Sequence, residues 1–436
     1  MKLNYKKTFF IGFAFMSICT FWQLYDSIIQ LILKETFKFS DTATGVVMSA
    51  DNVLALFLLP LFGTISDKVD TKWGKRTPFI VFGTIAAVAT MMFLPIADNA
   101  GNFPLFAITL GLVLIFMGTY RSPAVALMPD LTPKPLRSKA NAVINLMGAM
   151  GGILALVFIK ILVKKEDKPN YFNAFLAVAI VMILSVIVLV LTIKEKKMAV
   201  NEPDDNPEDN DKKGSSAMAP EVKRSLTFML ISVSLWFMAY NAVTSTFSRY
   251  AKAVWNLQGG DFTTPLLIAS AGAIVSYIPI GIIASNIGRK KTILGGVTLL
   301  ALMFGCGVFF NVSNYNMGIS LFGNVKIELI NILFALVGVA WAAINVNSYP
   351  MVVEMSKGSD IGKYTGYYYT FSMAAQVLTP ILSGFLIDHT SVSYTILFPY
   401  ASAFALLALV TMTFVKHGDS RPPKKSSKLE HFDIDD

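Results

Sequence analysis

The chain has 436 residues, of which 54% are hydrophobic and only 15% charged, with 37 lysines and arginines against 28 acids. A soluble domain carries about 25% charged residues to cover its surface, so this composition excludes a water-soluble enzyme or binding module. The net charge of +9 does not point to nucleic acid either, because the bases gather in short loops between apolar runs.

About 20 consecutive apolar residues cross a bilayer as a helix, and twelve such spans are predicted. The first six cover 8–33, 41–65, 77–97, 104–128, 138–162 and 171–193. Met1–Lys7 precedes the first without a small-residue cleavage site, so it reads as the start of a span and not as a removable leader. Residues 194–223 hold Asn201-Glu-Pro-Asp-Asp-Asn-Pro-Glu-Asp-Asn-Asp and a Gly-Ser-Ser, too polar and proline-rich to pack, and are predicted to be a disordered linker. The second six spans cover 224–250, 262–286, 291–311, 327–351, 362–387 and 393–415, and 418–436 form a polar tail. The expectation is an all-α membrane protein of two six-helix bundles, 1–193 and 224–417. Most of the lysines and arginines fall at the ends that the two termini share, which places both termini in the cytoplasm. Lys160–Lys168, with four bases on the opposite side, is an exception without an explanation at this level.

The loop Gly63-Thr-Ile-Ser-Asp67-Lys-Val-Asp70-Thr-Lys72-Trp73-Gly74-Lys75-Arg76-Thr-Pro78 recurs more loosely as Gly281-Ile-Ile-Ala-Ser285-Asn286-Ile-Gly288-Arg289-Lys290-Lys291, half the chain length later. A second echo follows. Span 4 closes on Pro123 to Asp130 with Arg137 opening span 5, and span 10 closes on Pro350 to Glu354 with Lys363 opening span 11. Parallel six-plus-six repeats of this kind are a transporter pattern. The first loop resembles the signature loop of the major facilitator superfamily, and its extended Trp-Gly-Lys-Arg-x-Pro-Phe form resembles the glycoside–pentoside–hexuronide:cation symporters and the related sucrose transporters. Arg121, Asp130-Leu and Arg137-Ser-Lys-Ala-Asn141 are similar to the sucrose branch. Melibiose-type members carry cation-binding acids on span 2; counting back from Trp73-Gly74 reaches Leu59 and Ala55, so those acids are missing and the resemblance implies a proton as the coupling ion.

Charges within a span cost at least about 2.5 kcal/mol and are functional candidates. Asp26 and Asp51 lie about 27 and 22 Å from the inner edge, at 1.5 Å per residue, and Arg121 about 10 Å. These are the candidate protonation and counter-charge residues. Each has a plainer reading: Asp26 reaching outward to water, Asp51 a structural acid, Arg121 in a static pair. Cys19, Trp22, Gln23, Asp26 and Gln30 share one stripe of span 1, where an indole face beside amides and a carboxylate suits a sugar. Asn52, Asn241, Trp341, Asn345 and Gln376 are further cavity candidates. Gly63, Asp67, Gly74, Lys75, Arg76, Asp130 and Arg137, with Arg289, Glu354 and Lys363 in the second half, form an expected gate that latches the cytoplasmic side shut, as the resemblance implies. Three scattered histidines (His389, His417, His431) and the separated Cys19 and Cys306 offer neither a metal site nor a disulfide.

The expected function is sugar:proton symport by alternating access, in a monomer of the plasma membrane that uses no cofactor and binds no nucleic acid. Export of drugs or handling of lysolipids is the rival within transport. A sensor or scaffold on a transporter fold is the rival outside it.

Overall fold

In the computed structural model the described residues are 3–133, 137–166, 168–198, 219–321, 325–355 and 361–419. Among them twelve helices are long and apolar enough to cross a membrane. The first half holds α1 (Tyr5–Glu35), α2 (Asp41–Lys68), α3 (Thr77–Ala100), α4 (Phe103–Leu131), α5 (Arg137–Leu162) and α6 (Phe172–Thr192). The second holds α7 (Pro220–Trp255), α8 (Thr263–Ile287), α9 (Arg289–Gly307), α10 (Leu329–Glu354), α11 (Ile361–His389) and α12 (Leu397–Thr413). We call the end that carries Gly63–Pro78 the loop end, and the opposite one the far end.

Local chemistry sets where the helices begin. The Ser40 hydroxyl accepts the Ala43 N–H at 3.1 Å to open α2, and the Asn102 side chain accepts the Leu105 N–H at 3.1 Å to open α4. Such caps satisfy amides that no helical turn can reach. Pro60 and Pro279 fall inside α2 and α8, and Pro123 and Pro350 inside α4 and α10. Helices packed among helices tolerate these breaks, because neighbours satisfy the freed carbonyls. Within α1, residues Tyr25–Ile29 form a π turn.

In the first half α1 packs against α5 and α6, and α3 against α4; in the second, α10 packs against α8 and α9, and α7 against α11 and α12. The halves meet where α2 crosses α11 and where α5 runs beside α8. At the first crossing a Cβ on Gly45 would stand 2.0 Å from the Pro380 carbonyl oxygen, and one on Gly384 2.3 Å from that of Asp41. Two glycines, one from each half, therefore set how closely the halves approach.

The all-α expectation holds for the twelve spans, with one addition: an antiparallel hairpin, β1 (Gly318–Leu321) and β2 (Val325–Glu328), precedes α10 and places Ile319 opposite Ile327. Its apolar residues alternate with period two, a strand pattern. The linker is shorter than 194–223: Glu195–Met198 form a helical turn and 220–223 belong to α7. Residues 199–218, most of the expected linker, lie outside the described residues, as do 420–436 of the tail. Cys306 is exposed on α9.

Candidate functional site

A cavity of about 390 Å³ lies between the halves. From α1 it takes Phe15, Cys19, Trp22, Gln23 and Asp26, which share a face because their spacing follows the helical period. From α5 it takes Asn145 and a run of small residues that includes Gly148 and Gly152. Those small residues also let α1 come close, since a Cβ on Gly151 would stand 2.4 Å from the Met16 carbonyl oxygen. The second half supplies Tyr240 from α7, Ser270 and Tyr277 from α8, and Trp341 and Asn345 from α10. Tyr240 and Trp341 stack with ring centres 3.8 Å apart and planes 8° from parallel, forming a flat aromatic plate. Gln23 donates from Nε2 to the Ser27 hydroxyl at 3.2 Å.

A narrow second space of about 10 Å³ adjoins it, lined by Trp22, Asp51, Gly118, Arg121 and leucines of α2 and α4. It is about the size one water molecule needs. The Arg121 guanidinium sits 5.5 Å from the centre of the Trp22 ring, a cation–π distance. Trp22 fronts both spaces, with Asp26 on the cavity side and Asp51 and Arg121 on the other. The Asp26 carboxylate interacts electrostatically with both Asp51 and Arg121, and Asp51 with Arg121. Among the described residues no direct salt bridge joins Arg121 to either acid. Asn52 donates to Asp51 at 3.0 Å.

At the far end a network of charges ties the halves together. Arg249 of α7, 4% exposed, donates from Nη1 to Asp41 Oδ1 at 2.6 Å and from Nε to Gln30 Oε1 at 2.9 Å. Lys34 pairs with the other Asp41 oxygen, and the Tyr394 hydroxyl donates to Oδ1 at 2.5 Å. The Asp388 carboxylate of α11 accepts the Asp41 and Thr42 N–H groups at 2.9 and 2.7 Å, capping α2 from the opposite half. Lys252 pairs with Glu35 at 2.7 Å. Lys160 and Lys165, two of the four bases in the segment Lys160–Lys168, both reach Asp261, at 2.6 and 2.5 Å. Burial of Asp261 opposes its ionisation, but the two lysines outweigh it and hold the carboxyl below the usual carboxylate range, while Asp261 in turn pushes the Lys165 ammonium up.

At the loop end the charges named in the sequence bind within their own halves. Arg76, 6% exposed, donates from Nε to Asp130 at 2.8 Å and pairs also with Asp67. Gly63 contributes its carbonyl to the same guanidinium. Glu195, 4% exposed, accepts the N–H groups of Lys75, Arg76 and Thr77 at 2.7, 2.9 and 2.8 Å, holding the start of α3. This is the anion-at-the-N-terminus arrangement that helix dipoles favour. Gly74 has φ +116, and a Cβ there would strike the Glu195 carboxylate. The second half repeats the device: Asp419 accepts the Lys290 N–H at 2.7 Å at the start of α9, beneath Gly288 with φ +96. Arg289 pairs with Glu354. Among the described residues these bonds brace each half: Arg76 and Arg289 each have a carboxylate of their own half at contact distance. The side chains of Arg137 and Lys363 lie outside the described residues.

The structure thus brings Trp22, Gln23, Asp26, Trp341 and Asn345 onto one wall set and places Asp51 and Arg121 behind Trp22. Asn52, Asn241 and Gln376 do not line the cavity. The Asn241 amide nitrogen is buried with no hydrogen-bond partner, and it is its neighbour Tyr240 that faces inward, about 100° away around the helix. Gln30 leaves the α1 stripe for the far-end network, because the intervening π turn shifts the register. Tyr240, Tyr277 and Asn145 escaped the sequence reading, as did the Asp41–Arg249 pair, whose partners lie 208 residues apart.

The sequence profile described as Major Facilitator Superfamily matches residues 11–325 and 263–434. A glucuronide carrier protein homolog of Escherichia coli (strain K12) is 27% identical over 301 residues, 64% of this chain and 61% of the relative. A sucrose transport protein of Arabidopsis thaliana is 26% identical over 139 residues, 28% of this chain and 23% of the relative. The chain thus spans less than two thirds of either of these relatives. Among solved structures, the nucleoside transporter NupG aligns with TM-score 0.68 at 15% identity, covering 94% of this chain and 100% of NupG. The POT family transporter PepTSo aligns with TM-score 0.69 at 12% identity, covering 95% and 98%. At such identities the structures speak for the fold alone, and that fold is the one the profile names. With twelve membrane-crossing helices in two repeated halves around a central cavity, the chain is a multi-pass membrane protein that belongs to the major facilitator superfamily.

Proposed function

We propose that the chain is a sugar or glycoside:proton symporter of the plasma membrane, working by alternating access as a monomer with its loop end in the cytoplasm. The observation that carries the reading is the charge count beside the cavity: two carboxylates, Asp26 and Asp51, share one guanidinium, Arg121. That leaves one negative charge uncompensated, and an uncompensated charge within a membrane costs at least about 2.5 kcal/mol. One proton removes it. The walls suit a sugar: the Tyr240–Trp341 plate offers a flat apolar face, and Gln23, Asn145 and Asn345 offer amides that bond hydroxyls. The names of two relatives, a glucuronide carrier homolog and a sucrose transport protein, support a sugar-bearing cargo. The far-end network corresponds, on this reading, to a state closed on the outside.

The test is transport by the purified protein in liposomes across a panel of labelled disaccharides and glycosides, with and without an imposed proton gradient. Asp51→Asn is expected to abolish gradient-driven accumulation while leaving substrate exchange across the membrane intact. Full accumulation in that variant would overturn the coupling role.

A further inference from the structure

We propose that the groove between α3 and α6 at the loop end is a seat for one anionic phospholipid, its acyl chain in the groove and its phosphate on Lys72, Lys75, Lys194 and Lys197. The groove holds about 450 Å³ and presents only apolar surface, chiefly from Val81 and Ile85 of α3 and Ile183, Ile187 and Leu191 of α6. Ile85, Ile187 and Leu191 are exposed, so in a protein of twelve membrane-crossing helices this face meets lipid. From Ile183 to Leu191 the groove runs about 12 Å along α6, at 1.5 Å per residue. That is most of the roughly 15 Å hydrocarbon depth of one leaflet. Trp73 closes the loop end of the groove and is 61% exposed, the place of an indole at the boundary between lipid chains and headgroups. The turn Thr71–Gly74 holds it there, with the Gly74 N–H donating to the Thr71 carbonyl at 3.2 Å and the Trp73 N–H to the Thr71 hydroxyl at 3.1 Å.

The occupant follows from charge. Lys72 and Lys75 flank Trp73, and Lys194 and Lys197 lie just beyond Leu191. Glu195 ties the two segments together through the Lys75, Arg76 and Thr77 amides. All four lysines are exposed, and among the described residues none is in an ion pair. The acids nearby are engaged already: Asp67 and Asp130 with Arg76, Asp70 with Lys196, and Glu195 with the three amides. Clustered bases beside a lipid-facing groove select a phosphate-bearing headgroup. A second copy of the chain docked here by twofold symmetry would instead set the same lysines against one another.

Trp73 is also the reporter. Of the five tryptophans it alone is exposed: Trp236 and Trp255 are buried, and Trp22 and Trp341 stand partly buried against the central cavity. The full-length protein is reconstituted in bilayers of phosphatidylcholine and phosphatidylglycerol, with each lipid in turn brominated on its chains to quench a tryptophan it touches. From the dependence on mole fraction, phosphatidylglycerol is expected to be preferred at Trp73 by at least about fivefold, the worth of one lysine near the surface. Lys72→Gln, Lys75→Gln, Lys194→Gln and Lys197→Gln together should bring the ratio within about twofold. Ile85→Phe with Ile187→Phe fills the groove at exposed positions and leaves the lysines in place, and the preference should be lost there too. The wild-type ratio decides by itself should a variant fail to fold. Equal quenching by the two lipids overturns the proposal, as does a preference that survives the loss of the lysines. A preference that survives filling of the groove makes the lysines a diffuse attraction for the membrane surface and overturns the seat. Quenching that persists in Trp73→Phe places the lipid elsewhere, and quenching by neither lipid means that a second copy covers the groove; either result also defeats the proposal.

Discussion

The two ends of the molecule use the same chemistry, arginine against carboxylate, with different connectivity. At the far end Arg249 of the second half holds Asp41 and Gln30 of the first. At the loop end Arg76 holds Asp67 and Asp130 of its own half, and Arg289 holds Glu354 of its own. A bond within one half survives any rotation of that half against the other, so it adds equally to both states and shifts neither. A bond across the halves exists only while that end is closed. Only an interaction that differs between two states can bias the balance between them. On the alternating-access reading, the far-end set is the conformational lock of this structure, and the loop-end set is bracing.

That comparison breaks most sharply at Arg249. Arg249→Ala leaves Asp41, 2% exposed, buried with one cation fewer. Losing one partner of a buried pair costs about 3–5 kcal/mol, and about 3 is expected here because Lys34 remains beside Asp41. The readout is hydrogen exchange at the Asp41 and Thr42 amides, which Asp388 shields from across the halves. Exchange there should accelerate and the melting temperature fall. Adding Asp41→Asn to Arg249→Ala should recover part of the stability, since no buried charge then lacks its partner. Unchanged protection of these two amides in Arg249→Ala would mean that α2 and α11 hold the far end closed by packing alone.

Glu195 probes the other side of the comparison. Glu195→Ala removes charged hydrogen bonds to three amides and the Thr77 hydroxyl, at a cost of about 2 kcal/mol. Exchange at Lys75, Arg76 and Thr77 should rise, with the protection of Asp41 and Thr42 unchanged. A rise at both ends would show that the bracing is coupled to the lock.

The twelve spans were legible because an apolar run of bilayer length has few other uses; α1, α4 and α6 begin and end within a few residues of expectation. The hairpin before α10 was legible in principle from the alternation of Ile319, Leu321, Val325 and Ile327, yet its closing residues 327 and 328 fall within the expected span 327–351, and the longer pattern masked the shorter. On α1, helical spacing brought Trp22, Gln23 and Asp26 together correctly, then failed at Gln30, where the π turn of Tyr25–Ile29 breaks the 3.6 period. On α7 the choice of the polar Asn241 over the adjacent Tyr240 followed residue type, whereas the helix turns only one of them inward. The lock was not legible at all. Asp41 looks like an ordinary first-turn acid and Arg249 like a base near a helix end, and only folding brings together two residues 208 positions apart.

The smallest effect is expected at Asp261, and its sign separates two sources of proton sensitivity. Lys160 and Lys165 hold this carboxyl below its ordinary range, and they belong to the first half while Asp261 belongs to the second. When the far end opens, Asp261 loses both lysines and returns toward about 3.9. A depressed carboxyl favours the closed state fully above that ordinary value, and the contribution disappears as pH falls through the lower one. The contact should therefore be insensitive between about pH 5 and 8 and weaken only below about 4. Its worth is small, under about 1 kcal/mol, because the lysines are partly exposed to solvent. Exchange at the Gly260 amide, which donates to the Val163 carbonyl across the halves at 3.3 Å, reports it directly. Asp261→Asn should speed that exchange modestly and equally at pH 5 and pH 8. If far-end protection in this variant still changes between those two values, the responsive group lies elsewhere, and the two carboxylates that share Arg121 behind and beside Trp22 become the place to look. If the variant abolishes such a change, Asp261 senses protons itself, and the strength assigned to its two lysine bonds is wrong.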